Sequence, residues 1–361
     1  MAERLRRRIR ADGTLTMAEF MEAALYDPSG GFFERSTIGE RGDFLTSPHV
    51  SPAFGALVAR QVEEFWGLLG SPTDFGVVEV GAGDGTLARQ VLEALPASLV
   101  SAHPYQAVER SHAGRAAAER LLSDLRAVVV ESIEELERSE SGSVVANELF
   151  DNVPMHLVRA TPRGLVELRV EVNGERFEFG EAEPASGAVA RLAPDLNLGE
   201  EAAVAPEALT LLDGMCRHLG RGYVWMADYG WTGEDPASRI HAYRGHREEP
   251  AVLEAPGSRD ITAGVDFDAL AAHARGRGHR VWGPVTQRAA LLSLGFRELD
   301  ARAQARQVDA VAARRGVEAL TIYSNRTRAN LLLGQGGLGD FLVLCVGVGD
   351  VPDDAPISVS G

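Results

Sequence analysis

At 361 residues, 45% of them hydrophobic and 24% charged, the chain is long enough to bury a full core and has the make-up of a globular rather than a disordered protein. Its formal charge of −16 would repel a phosphate backbone and argues against nucleic acid as a partner. No apolar run approaches the roughly 20 residues of a bilayer-spanning helix, and the first ten residues lack an apolar signal core, so no membrane and a cytoplasmic location are the default expectations.

The segment 1–70 reads as a helical extension or cap, opening on Arg4, Arg6, Arg7, Arg8 and Arg10, a solvated helix start. Helices are expected around 17–25 and over 54–69. Between them lies a polar loop, Gly42-Asp43-Phe44-Leu45-Thr46-Ser47-Pro48-His49.

From residue 75 the pattern alternates between strand and helix, with strands over 75–80, 105–109, 127–130 and 143–147 and helices over 86–95, 113–125 and 132–138. Such alternation predicts a parallel, Rossmann-like α/β sheet with helices on both faces. Residues 71–154 form the first part of that domain. Residues 155–208 read as a β-rich insertion begun by a β-hairpin over 155–160 and 165–172. The second part, 209–350, carries a fifth parallel strand over 222–228, a long loop to about 265 and a helix over 267–275. It continues with a strand over 279–282, helices over 288–294 and 301–317 and a last strand over 341–346. Residues 351–361 read as a flexible tail. Cys216 and Cys345 and the nine scattered histidines show no metal-ligand spacing, so no metal is expected.

Chemistry concentrates after the first strand, in Glu79-Val80-Gly81-Ala82-Gly83-Asp84-Gly85. Glycines let the chain turn sharply and approach a ligand closely. A dinucleotide site would place a third glycine where Thr86 stands. Glu79, two residues before the first glycine, suits S-adenosylmethionine (SAM), which carries a sulfonium and an ammonium and no phosphate. Gly81, Gly83, Gly85, Glu79 and Asn147 are therefore candidate cofactor contacts, with Glu109 at the end of the second strand placed to accept ribose hydroxyls. Asn147-Glu148-Leu149-Phe150-Asp151 ends the fourth strand, at the edge where open α/β sheets hold ligands. A ligand-free turn, a helix cap at Asp151 and an NAD-dependent oxidoreductase are the competing readings.

Taken with Gly42-Asp43-Phe44-Leu45-Thr46-Ser47-Pro48, Asn147-Glu148-Leu149-Phe150-Asp151-Asn152-Val153-Pro154, Asp228-Tyr229-Gly230, Ala242-Tyr243-Arg244-Gly245-His246, Asp260-Ile261-Thr262 and Thr286-Gln287, the sequence resembles the MidA family of SAM-dependent methyltransferases. It departs from the family pattern at Ser238-Arg239-Ile240-His241 and over 333–339. The resemblance implies a class I methyltransferase sheet, SAM as cofactor and a protein substrate, methylated at arginine, a respiratory complex I subunit being one candidate. Gripping a guanidinium and taking its proton needs carboxylates. Glu148 is the leading one, with Asp43 and Asp228 as helpers. A non-catalytic SAM-binding assembly protein is the alternative from another class, and a homodimer is considered.

Overall fold

The computed structural model describes residues 1–35, 46–100, 103–233, 240–244, 247–249 and 251–360. Its centre is a seven-stranded sheet of β1 (Phe75–Val80), β2 (Tyr105–Val108), β3 (Ala127–Val130), β4 (Ser139–Asn147), β5 (Leu219–Asp228), β6 (Arg280–Thr286) and β7 (Leu342–Val348). Spatial order is β6-β7-β5-β4-β1-β2-β3. The pairs from β5 to β3 are parallel, whereas β7 runs antiparallel to both β5 and β6. β1 is buried along its whole length. A strand covered on both faces has no solvent side to make polar, hence its apolar run.

Helices cover both faces. On one, Pro52–Leu68, Thr86–Ala94 and Gln287–Ser293 pack through Phe54, Leu57, Val91 and Leu291. On the other, Pro206–His218 and Phe267–Gly276 pack through Leu212, Met215, Phe267 and Leu270. The expected Rossmann-like α/β layering is thus observed. β1 has β2 on one side and β4 on the other, so the chain winds outward in both directions from it. A crevice opens at such a switch point, beyond the carboxyl ends of the strands.

The hairpin His156–Thr161 and Gly164–Asn173 builds a second sheet with Arg176–Ala182, Glu201–Val204 and the short strand Leu15–Thr16. Helices Ala2–Asp12 and Met17–Tyr26 close over it through Leu5, Phe20, Leu25, Leu157 and Leu168. Thr16 and Glu19 start the second helix with a reciprocal capping box. The first helices therefore pack with the insertion, whereas Pro52–Leu68 packs with the main sheet.

Three expectations are corrected. The long loop after β5 carries, in its described part, a small antiparallel sheet of Ile240–Arg244, Arg247–Glu249 and Asp260–Ala263; strands this short leave little periodicity to read. The helix expected over 301–317 is a hairpin of Phe296–Ala312 and Gly316–Ala329, broken where Arg314 turns left-handed at φ 56°. Val308, Val317 and Leu320 stay exposed on it. The tail is docked rather than flexible through Ser360: Ser358 is 1% exposed, accepts from Trp225 Nε1 at 3.2 Å, and donates its N–H to Gln61 Oε1 at 3.1 Å. A buried indole N–H needs an acceptor, and the tail supplies it.

Candidate active site

β1 runs directly into the glycine turn, with Gly81, Gly83 and Gly85 at φ 80°, 55° and 84°. All three lie in the left-handed region, and a Cβ on Gly81 would stand 2.8 Å from Leu149 Cδ1. The N–H groups of Gly81 and Ala82 both donate to Val108 O, at 2.9 and 3.0 Å. The turn is thereby tied to the end of β2. The next residue, Glu109, accepts from Gly83 N at 2.9 Å with one oxygen and from Ser111 N at 2.8 Å with the other. Burial raises its proton affinity against these two donors.

Glu79 is 2% exposed and accepts from Tyr105 Oη at 2.8 Å. Burial pushes its carboxyl up to about 8, and the Tyr105 hydrogen bond offsets only part of that. At the end of β4, Glu148 adopts φ 50°, a strained conformation for a side-chain-bearing residue, and donates its N–H to Ala227 O at 2.8 Å. Its carboxylate accepts from Ser47 N at 2.7 Å and from Asn147 Nδ2 at 3.1 Å. Burial raises the Glu148 carboxyl to about 7, and the charge of Asp151 adds to the effect. The oxygen of the Asn147 amide, Oδ1, is buried with no hydrogen-bond partner among the described residues.

These groups converge on a cavity of about 780 Å³ at the carboxyl ends of β1, β2 and β4. Glu79, Gly81, Gly83, Glu109, Asn147 and Glu148 all line it. Gly85 does not. It faces Ala118 instead, where a Cβ would come within 3.1 Å of Cα. Asp228 is also outside the lining: its Oδ2 accepts from Leu149 N at 2.9 Å and Phe150 N at 2.7 Å, and Oδ1 from Tyr229 N at 2.8 Å. It braces the turn that carries Glu148. Asp43 lies outside the described residues.

Several lining residues escaped the sequence reading. His49 bridges Thr46 Oγ1 at 2.7 Å and Asp84 Oδ2 at 3.1 Å. Burial works to raise the Asp84 carboxyl, but the His49 and Thr86 hydrogen bonds hold it below its ordinary value. Tyr26 stands under the Arg110 guanidinium, 3.8 Å from ring centroid to Cζ, and donates to Asn152 O at 3.0 Å. Glu34 accepts from His112 N and Ala113 N at 2.8 and 3.3 Å, a carboxylate at a helix start. The signal for Tyr26 was the Tyr26-Asp27-Pro28-Ser29-Gly30-Gly31 turn, which reads only as a turn until the fold brings it over the cavity.

What fits such a cavity is a cationic nucleoside. Among the described residues neither Glu79 nor Glu148 has a cationic side chain at ion-pair distance. The open Asn147 oxygen can accept from an ammonium, and a pyrophosphate held by the glycine turn, as in a dinucleotide site, would have Glu79, Asp84, Glu109 and Glu148 about it, although Arg35, Arg110, Arg120 and Arg217 line the same cavity. The residues thus suit SAM and disfavour a dinucleotide. Among the described residues no group of three His, Cys, Asp or Glu side chains is placed to share a metal ion, and no helix is long and apolar enough to cross a membrane.

Sheet order, glycine turn and carboxylate-lined cavity together define a class I SAM-dependent methyltransferase. A family model described as S-adenosyl-L-methionine-dependent methyltransferase matches residues 57–285, and the chain belongs to that family, the MidA family. The mitochondrial protein arginine methyltransferase NDUFAF7 of Mus musculus is 30% identical over 338 residues, 82% of this chain and 74% of its own. The Homo sapiens protein of the same name is 27% identical over 340 residues, 82% and 73% of the two chains. A crystal structure of a superfamily member from Burkholderia thailandensis, bound to S-adenosyl-homocysteine, superposes with a TM-score of 0.85 at 27% identity over 99% of this chain and 93% of that one.

The cytoplasmic expectation is overturned by these relatives, which are mitochondrial proteins by name. Its premise was weak. Mitochondrial targeting segments are arginine-rich and amphipathic, so the lack of an apolar signal core does not argue for the cytoplasm.

Proposed function

We propose that the protein methylates an arginine side chain of a protein substrate, with Glu148 as the carboxylate that orients the guanidinium and receives its proton. When bound, SAM supplies a methyl already activated on a sulfonium. The remaining work falls to the chain: to align the acceptor nitrogen, exclude water and take up a proton.

Guanidinium nitrogens are poor nucleophiles because their lone pairs are delocalised over a charged plane. A carboxylate gripping two of them orients the third and accepts the proton that this nitrogen sheds as it takes up the methyl. Glu148 has one oxygen fixed by Ser47 N and Asn147 Nδ2, which leaves the other for substrate. Its elevated proton affinity, about 7, suits a base that works near neutral pH. Glu79, Gly81, Gly83, Glu109 and Asn147 are proposed to hold the cofactor. Asp228 acts as a positioning residue beneath the Glu148 turn, and Asp43, outside the described residues, is a proposed helper.

The observation that carries this reading is the half-buried Glu148 carboxylate on the cavity wall with no cation beside it among the described residues. The relatives named protein arginine methyltransferase support the choice of arginine. Incubation with labelled SAM and arginine-containing proteins, respiratory complex I subunits first, followed by mass spectrometry, should find methylarginine that is lost with Glu148→Gln. Label on another residue type would refute the arginine assignment.

A further inference from the structure

Ser47–Val50 is a single helical turn, too short to be stable alone, and its outward polar groups are taken by side chains from distant parts of the chain. Gln90 Nε2 donates to Pro48 O at 2.8 Å. Arg328, from the second helix of the hairpin, donates to His49 O at 2.9 Å and to Val50 O at 3.1 Å. Gln287, the first residue of the helix Gln287–Ser293, donates through Nε2 to Ser47 Oγ at 3.3 Å and to Leu338 O at 3.0 Å. Gln287 and Ser47 are both 0% exposed. The Gln287 N–H is fixed as well, donating to Phe341 O at 2.6 Å.

The inward side of the same turn meets the cavity. Ser47 N–H reaches Glu148 Oε1 at 2.7 Å, and His49 Nε2 reaches Asp84 Oδ2 at 3.1 Å. We infer that Gln287 and Arg328 are positioning residues that clamp the Ser47–Val50 turn and, through the Ser47 N–H, fix the orientation of the Glu148 carboxylate. The inference rests on Glu148 being the proton acceptor.

Geometry explains why a clamp is needed. A shift of about 1 Å in the turn would carry the Ser47 N–H beyond hydrogen-bond range of Glu148. Misplacement of that size at a reacting group costs on the order of a hundredfold in rate. Neither Gln287 nor Arg328 lines the cavity, so removing them leaves the cofactor contacts in place. Gln287 spans 240 residues of sequence to reach Ser47, which binds the carboxyl-terminal half of the domain to the catalytic wall.

The test reads Glu148 directly and needs no identified substrate. In protein labelled with ¹³C at glutamate carboxyls, the Glu148 resonance is assigned by its loss in Glu148→Gln and titrated. In Gln287→Leu and in Arg328→Met its midpoint should rise by about one pH unit, because the charged form loses its N–H donor. S-adenosyl-homocysteine binding by calorimetry should stay within about threefold, as expected for residues remote from the cofactor contacts. Arg328→Met carries the test should Gln287→Leu fail to fold, because the two side chains hold the turn from different helices. Unchanged midpoints in the folded variants would overturn the clamp. A Glu148→Gln enzyme with full methyl transfer would instead overturn the role of Glu148, leaving the clamp as a measured fact.

Discussion

Two regions of this molecule bury carboxylates and treat them in opposite ways. In the β insertion Glu167 is 0% exposed, lies 2.6 Å from His156 Nδ1, accepts from Ala185 N at 2.5 Å and has Arg169 at 3.6 Å. Burial would raise it, yet these partners bring it below the ordinary carboxylate range. In the cavity, Glu79 and Glu148 have hydroxyl, amide and N–H donors but no cation among the described residues, and burial carries them to about 8 and about 7. The insertion is balanced and structural. Glu79 and Glu148 are left without the positive partner that a cationic ligand can supply.

The variant expected to break the comparison most completely is Gly83→Val. A β-branched residue at φ 55° is strained and intrudes on the cofactor wall, so SAM binding measured by calorimetry should vanish. Equal binding would refute the glycine-turn assignment. Glu148→Gln comes next: methyl transfer should fall by roughly 10²–10⁴-fold, the range for a lost general base, while SAM affinity holds. Asp228→Asn leaves the three N–H groups it braces facing an amide in a buried site. A stability loss of about 1–3 kcal/mol in chemical unfolding is expected.

Smaller effects come from pH. Glu79 and Glu148 have carboxyls raised above their unfolded values, so the stability they contribute is fully present below pH about 4.5 and is lost as pH rises through about 7 to 8. The ligand-free protein should melt lower at pH 8.5 than at pH 5.5, and Glu79→Gln should flatten that slope. His156 in the insertion is also raised, to about 9. Burial alone would depress it, and the Glu167 and Glu207 hydrogen bonds outweigh burial. Its contribution is fully present below pH about 6.5 and disappears as pH climbs through about 9. His156→Leu should alter melting across that window with no change in SAM affinity, and a change in affinity would erase the distinction between the two regions.

Much of the site was legible because local sequence carries it. The strand 75–80, the glycines after it, Glu109 and Asn147-Glu148 all sit at strand ends, and strand ends in a parallel sheet meet at one edge. Asp228 also sits at a strand end. Its burial beneath Leu149 and Phe150 depends on how neighbouring strands stagger, which no local pattern encodes. Tyr26, Glu34 and His49 escaped for a related reason: contacts across tens of residues bring them to the cavity. The tail looked flexible because polar residues flank Ile357-Ser358-Val359, and the partners that dock it, Trp225 and Gln61, stand far away in sequence.

The most direct measurement is calorimetry of SAM binding between pH 5.5 and 7 in buffers of different ionisation enthalpy. If the buried Glu79 carboxylate receives the cationic cofactor, binding forces this raised carboxyl to ionise. Protons should be released and affinity should climb by up to about tenfold per pH unit, with Glu79→Gln suppressing much of the effect. Affinity that stays flat across this range with no proton release in the wild-type protein would contradict the assignment of Glu79 as the cationic cofactor's counter-charge.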